Sequence, residues 1–321
     1  MEQLIDKFGR KINYIRISVT DRCNFRCIYC MPKNGVDWKP MENLLTYEDM
    51  AFFLKVAARL GIEKVKLTGG EPLVRKHLDN LISMIKEIDG IKEVSLTTNG
   101  TMLPIYAKRL KNAGLDRITV SLDTLSKEKF KKITRMGELD DVLKGIEAID
   151  DVGFKKTKIN TVVMKTINDS EITDLIDFAH SRRYDIRFIE LMPTDLIPDW
   201  QKYFISIKQI KDIIKKRFDI EKTDKKTNGP SVYYKLESGY VGFITPLSKA
   251  FCAACNRIRL SSEGEIIACL GHNLKVDVKN AIKNRNEETT EKLIKYSVEI
   301  KPKEHAMLNE SIHSSMSAIG G

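Results

Sequence analysis

The chain has 321 residues, 42% of them hydrophobic and 31% charged, with a formal net charge of +10. That length suits one large α/β barrel or two ordinary domains, and the composition is that of a globular protein. No apolar run reaches the roughly 18 residues a membrane span needs, and Met1–Arg10 is too polar for the apolar core of a secretory signal, so the expectation is a cytoplasmic protein that makes no membrane contact.

From the N-terminus, Tyr14–Ser18 reads as a strand. Thr46 caps a helix that runs to about Leu60, with Asp49 at its third position. Val65–Thr68 is the next strand and His77–Ile88 the next helix. Glu93–Thr97 and Arg117–Ser121 are strands that bracket a helix over Leu103–Ala113. A helix over Asp140–Val152, a strand over Lys158–Val163, a helix over Asp169–Ser181 and a strand over Ile186–Glu190 complete six strand–helix units. Such alternation implies a parallel sheet. Six units are fewer than the eight of a closed barrel, so the predicted fold is α/β, an open, partial (β/α)6 TIM-like barrel. Chemistry in such folds gathers at the C-terminal strand ends.

After Pro193 the rhythm breaks. A helix over Ile207–Phe218 and a hairpin, Ser231–Lys235 with Tyr240–Ile244, lead to a C-terminal α+β extension. The division expected is a barrel over 1–222 and an extension over 223–321. The positive charge reads as a Lys-rich surface. Runs such as Lys215-Lys216-Arg217 lack the aromatic interleaving of a single-strand platform, so no nucleic-acid partner is expected.

Six cysteines fall into two groups of three. In a reducing compartment such grouping favours metal ligation over disulfides. Cys23, Cys27 and Cys30 lie in a loop just after the first strand, and no His accompanies them. Three closely spaced thiolates suit three irons of a cubane, leaving the fourth iron open. Zinc normally wants four protein ligands or an open catalytic position, and a redox Cys-x-x-Cys pair leaves Cys23 without a role. Cys252, Cys255 and Cys269 form the second group. A zinc knuckle with His272 as fourth ligand is the competing reading there. Arg257 and Arg259 follow Cys255 directly, and if extended both point to one face beside the metal. Arginine forks suit phosphate oxygens.

The segment Thr20-Asp21-Arg22-Cys23-Asn24-Phe25-Arg26-Cys27-Ile28-Tyr29-Cys30-Met31-Pro32 resembles the cluster loop of the radical S-adenosylmethionine superfamily. Gly69-Gly70-Glu71-Pro72 resembles that superfamily's segment contacting the cofactor's amino group, with glycines for close approach and Glu71 as an acceptor. The second triad with Arg257 and Arg259, and the terminal Ile319-Gly320-Gly321, narrow the resemblance to the GTP 3′,8-cyclase family over nearly the whole chain.

The resemblance implies two [4Fe–4S] clusters, one on each triad, and S-adenosylmethionine as cofactor. It implies that a 5′-deoxyadenosyl radical takes the ribose 3′ hydrogen of GTP, after which C3′ bonds to C8 of guanine. Carried over residue by residue, Tyr29, Gly70, Ser121 and Met192 match S-adenosylmethionine contacts. Arg16, Lys66, Thr97, Lys158, Arg257, Ile258 and Arg259 match GTP contacts, and Gly320 and Gly321 match a tail that assists at the active site. Lys66 stands where many relatives carry Arg, which keeps charge but loses bidentate geometry. Implied partners are GTP, a low-potential electron donor and a downstream cyclic pyranopterin monophosphate synthase, with the chain a monomer or homodimer. Two other functions compete: a radical peptide-modifying maturase with an auxiliary cluster, and a zinc-stabilised nucleic-acid-binding protein.

Overall fold

The computed structural model of the chain describes residues 3–225, 227 and 229–307. Gly320 and Gly321, with Ile319 before them, lie outside the described residues. Strand and helix alternate as the apolar periods require: β1 (Tyr14–Ser18), α1 (Tyr47–Arg59), β2 (Lys64–Thr68), α2 (Leu78–Lys86), β3 (Glu93–Thr98), α3 (Leu103–Asn112) and β4 (Arg117–Ser121). Two helices, α4 (Lys127–Thr134) and α5 (Leu139–Val152), then lead to β5 (Lys158–Val163), α6 (Ile172–Ser181) and β6 (Asp185–Glu190). α4 is an addition to the sequence reading. It is short and largely polar, and its start is fixed by the Ser126 side chain accepting from Lys129 N.

Beyond β6 come α7 (Trp200–Tyr203), α8 (Ile207–Lys215), β7 (Glu221–Lys222), β8 (Val232–Leu236) and β9 (Gly239–Ile244). β10 (Arg257–Leu260), β11 (Glu265–Ile267), β12 (Lys275–Asp277), α9 (Lys279–Lys283) and α10 (Glu287–Glu299) follow. β11, β12, α9 and α10 were not anticipated. Their strands are three residues long, and α10 shows polar residues over most of its surface.

Among the described residues twelve strands form one open sheet, in the order β12-β11-β10-β1-β2-β3-β4-β5-β6-β9-β8-β7. The six barrel strands pair in parallel and in sequence. The later strands dock on both edges of this core. β10 runs parallel to β1 and β9 parallel to β6. The C-terminal region thus completes the sheet from two sides.

Side chains alternate across a strand, and here the alternation separates two chemistries. Ile15, Ile17, Val65, Leu67, Val94, Leu96, Ile118, Val120, Ile159, Ile186 and Phe188 face the helices and build the hydrophobic core. Their neighbours Tyr14, Arg16, Lys66, Thr97, Ser121, Asn160 and Arg187 line a cavity on the concave side. The interior of the barrel is therefore polar and charged, and the apolar burial that drives folding lies outside it.

Asp49 ties the C-terminal region to the barrel. Its Oδ2 accepts from Thr46 N at 2.9 Å, and Thr46 Oγ1 accepts from Asp49 N at 3.1 Å, which closes a capping box on α1. Lys283 Nζ and Arg285, just past α9, reach the same carboxylate at 2.6 and 3.1 Å. Burial opposes the charge, but Lys283 and the Thr46 amide hold the carboxyl below its ordinary value. Asp49→Ala is expected to lower stability by about 1–3 kcal/mol through lost cap and ion pairs. Because the folded pKa is depressed, the contribution is present above the ordinary carboxylate range and fades as pH falls. The thermal midpoint of the variant should therefore converge on that of the parent toward acid pH.

Candidate functional site

The first cysteine loop hangs from the end of β1 and is shaped by backbone contacts on two sides. On one side Arg26 N donates to Thr134 O and Ile28 N to Ile133 O, each at 2.9 Å, which fastens the loop to the end of α4. Cys30 N and Met31 N both donate to Cys27 O, which turns the chain between the last two cysteines, and all three cysteines line the cavity. On the other side Gly70 N donates to Thr20 O and Glu71 N to Arg22 O, each at 2.8 Å. A Cβ on Gly70 would sit 2.3 Å from Arg22 O, and one on Gly69, whose φ is +154°, 2.5 Å from Thr20 O. The close approach that requires these glycines is therefore to the backbone of the cysteine loop itself.

Glu71 is turned away from the cavity. Its carboxylate accepts from Leu73 N at 3.0 Å, Thr98 Oγ1 at 2.7 Å and Asn99 N at 2.6 Å. Burial nevertheless pushes its carboxyl up to about 7. It joins the end of β2 to the end of β3, and this position replaces the expected role as an acceptor for the cofactor.

The second triad is assembled from distant segments. Cys252 and Cys255 flank a single turn in which Cys255 N donates to Cys252 O at 3.1 Å. Cys269 follows β11, two residues past Ile267. Buried Arg10 braces the group: Nη1 donates to Cys252 O at 2.9 Å and Lys303 O at 3.0 Å, and Nη2 to Pro302 O at 2.6 Å. Lys301 Nζ donates to Ala268 O at 2.6 Å. His272 is half-buried and its Nε2 lies 2.9 Å from Glu304 O, and it does not line the cavity the cysteines share. The zinc-knuckle reading thus loses His272, while His305 lines the cavity with its Nε2 2.7 Å from Pro246 O.

All six cysteines, none in a disulfide, line one cavity of about 360 Å³. Burial pushes the Cys23 thiol up to about 12, and Cys27 rises further from burial and the neighbouring Cys30. Three thiolates at such a place need a multivalent cation to hold their charge. Each triad brings three thiols to the wall of that cavity, and three thiolates are a donor set that suits a cubane.

Arg16, Lys66, Arg187, Arg257 and Arg259 meet in the same cavity. Lys66 Nζ reaches Thr97 Oγ1 at 3.3 Å, and Arg187 donates to Asn160 Oδ1 at 2.8 Å and Thr119 Oγ1 at 3.2 Å. Burial brings Arg16 down to about 10 and Lys66 well below its ordinary value, with Arg187 and Arg16 adding repulsion at Lys66. Arg259 falls for the same reasons, burial first and then Arg16 and Arg257. Arg187 is buried and the other four are half-buried, and cations that repel one another at such depth make a receptor for a polyanion.

Tyr29, Gly70, Ser121 and Met192 line the cavity near the first triad, Tyr29 Oη donating to Asp123 Oδ2 at 2.6 Å. Ile258 points the other way, into the core. Lys158 lines a neighbouring pocket at the N-terminal strand ends. Its Nζ donates to Tyr233 Oη at 2.8 Å and stands 3.8 Å from Asp185. Burial, with Arg187, pulls it down to about 7. Sequence reasoning missed Arg187, Asn160, Asp123 and Lys301. The signal for Arg187 was a cation in the middle of the otherwise apolar strand Ile186–Ile189.

The sequence matches the Radical SAM superfamily over residues 17–179 and Molybdenum Cofactor Synthesis C over residues 184–307. Curated relatives include the GTP 3′,8-cyclase of Campylobacter curvus, 46% identical over 94% of each chain, and that of Alkaliphilus oremlandii, 43% identical over 98% of this chain and 99% of the other. Among solved structures, Streptococcus suis SuiB bound to S-adenosylmethionine superposes with a TM-score of 0.61 at 19% identity, covering 88% of this chain and 67% of that one. The [FeFe]-hydrogenase maturase HydG superposes with a TM-score of 0.51 at 16% identity, covering 63% and 48%. These two likenesses speak for the fold.

Glu71→Ala would leave three donors without their acceptor, at roughly 1–3 kcal/mol for each one left buried and unpaired. The expected outcome is a lower thermal midpoint and loss of iron from the first triad, read as iron per chain after anaerobic reconstitution.

Proposed function

The chain belongs to the radical S-adenosylmethionine superfamily and, within it, to the GTP 3′,8-cyclase family, and on that footing we propose that it converts GTP to (8S)-3′,8-cyclo-7,8-dihydroguanosine 5′-triphosphate in molybdenum cofactor biosynthesis. The observation that carries this reading is the meeting of two cysteine triads and a set of partly buried cations in one cavity. We assign Cys23, Cys27 and Cys30 to a [4Fe–4S] cluster that takes S-adenosylmethionine, and Cys252, Cys255 and Cys269 to a second one. When bound, the first cluster and its cofactor supply the reductive cleavage that starts radical chemistry.

The protein's own part is placement. Gly70, Ser121 and Met192 bound the cofactor's side of the cavity, and Asp123 fixes Tyr29 there. Arg16, Lys66, Thr97, Arg257 and Arg259 hold GTP, and Arg187 joins them as a further triphosphate cation. Their charge orients the ribose toward the first triad and the base toward the second, a positioning effect of the kind that makes bound reactants effectively concentrated. Lys158 sits behind Arg187 and contributes its charge from the neighbouring pocket. Ile258 has only its backbone to offer. The cavity walls confine the radical beside its target and so limit side reactions.

A low-potential donor supplies electrons and a cyclic pyranopterin monophosphate synthase consumes the product, in the cytoplasm, with the enzyme a monomer or homodimer. No helix among the described residues is long and apolar enough to cross a membrane. The cation-lined interior favours a nucleotide over the peptide of a maturase.

Anaerobic incubation with GTP, S-adenosylmethionine and a reductant tests the reading. Cyclised nucleotide and 5′-deoxyadenosine should form together, with about eight irons per chain. Intact GTP under those conditions would overturn it. Replacing Cys23, Cys27 and Cys30 together by Ala should abolish 5′-deoxyadenosine.

Arg257→Ala and Arg259→Ala should each weaken GTP binding by roughly 1.5–3 kcal/mol, as loss of a charge-assisted contact does. Arg187→Ala should behave alike, while S-adenosylmethionine affinity stays close to that of the parent. Equilibrium binding under argon distinguishes these cases. Deleting Gly320 and Gly321 should leave both clusters in place but lower transfer of deuterium from 3′-deuterated GTP into 5′-deoxyadenosine.

A further inference from the structure

Lys301 is 2% exposed, deeper than any of the cations assigned to GTP needs it to be. It lies two residues past the end of α10, where the chain runs between Arg10 and the segment carrying Cys269. Its Nζ makes one short hydrogen bond, to the carbonyl of Ala268 at 2.6 Å, and it lines the shared cavity. Among the described residues no carboxylate stands within ion-pair distance of it. Burial pulls Lys301 below its ordinary value and Arg10 and Arg257 add to that, while the groups of opposite charge that it feels, Cys255 and Cys269, work to keep it charged. Burial pushes the Cys255 thiol up, but Lys301 and then Arg257 more than reverse that.

A buried ammonium without a counter-charge is unfavourable. Its placement makes sense if the anion it faces arrives with iron. A cubane held by three thiolates is anionic, and it gains one more negative charge on reduction. A fixed cation close by favours the reduced form, since cluster potentials follow net charge, hydrogen bonding and exposure. The first triad has different surroundings: Glu71 and the cation Arg26 both act on Cys23, and Asp123 on Cys27.

We propose that Lys301 is the counter-cation of the second cluster, a positioning residue whose ammonium raises that cluster's reduction potential and leaves the first cluster's unaffected. This rests on the assignment of a [4Fe–4S] cluster to Cys252, Cys255 and Cys269. The role differs from that of Arg257 and Arg259, which reach toward substrate phosphate.

The test is a redox titration followed by electron paramagnetic resonance, without turnover. It is run in the background in which Cys23, Cys27 and Cys30 are replaced by Ala, so that only the second cluster contributes. Lys301→Gln should retain about four irons per chain and shift the midpoint to a more negative potential, while Lys301→Arg should stay near the parent. In the otherwise native chain, the first cluster's midpoint should be the same with Lys301 or Gln. An unshifted second midpoint in Lys301→Gln overturns the proposal. If that variant loses its iron, Lys301→Arg decides. Retained iron at the parent potential supports a requirement for charge, and loss in both variants overturns it by making side-chain shape the requirement. A Cys23/Cys27/Cys30-less parent that binds no iron at all defeats the underlying cluster assignment, and this inference with it.

Discussion

Repulsion among partly buried cations governs the interior of this molecule. Arg16, Lys66, Arg187, Arg257 and Arg259 come from four strands and converge on one cavity. Arg187 is buried and the others are half-buried, and loss of water lowers the affinity of Arg16, Lys66 and Arg259 for their protons. A fold can tolerate that arrangement only if stability is earned elsewhere. Here it comes from the outer face of the same strands, where Ile, Val, Leu and Phe pack on the helices. The sheet thus separates a stabilising side from a functional one, residue by residue.

The same division explains how the first cysteine loop is held. Its three thiols are themselves poor candidates for burial, so the loop depends on backbone hydrogen bonds to Gly70, Glu71, Ile133 and Thr134. Glu71 links these contacts to the end of β3 through Thr98 and Asn99. Strand ends, glycines and cysteine loop form one connected unit, so a change at Gly70 reaches the sulfurs without touching them.

The six-unit alternation of β and α was legible because its apolar periods are strong and its helices begin at readable caps, such as Thr46 with Asp49. Both cysteine groups and the Gly-Gly-Glu-Pro turn were legible as spacing. The polar lining was less so. A parallel strand buried on both faces is expected to read as a continuous apolar run, whereas Arg187 and Asn160 interrupt theirs. Lys301 gave no local signal at all, since its role comes from a segment 32 residues earlier, at Cys269. Glu71 carried the right motif but its side chain serves the protein's own backbone. The partners of β10 were hidden too: pairing with β1 spans more than 240 residues, and nothing local encodes it.

That pairing bears on how the chain can be divided. β10 covers the β1 edge and β9 covers the β6 edge, so one C-terminal region closes a sheet that the first 222 residues leave open on both sides. An unpaired parallel edge carries a row of unsatisfied amides and invites other chains to add to it. A fragment ending near residue 222 would carry two such edges and would also lack β10, where Arg257 and Arg259 stand. A gene split at that point would therefore yield halves that associate with the wrong copies before they find each other, which makes a single continuous polypeptide the economical way to bring two cysteine triads to one cavity.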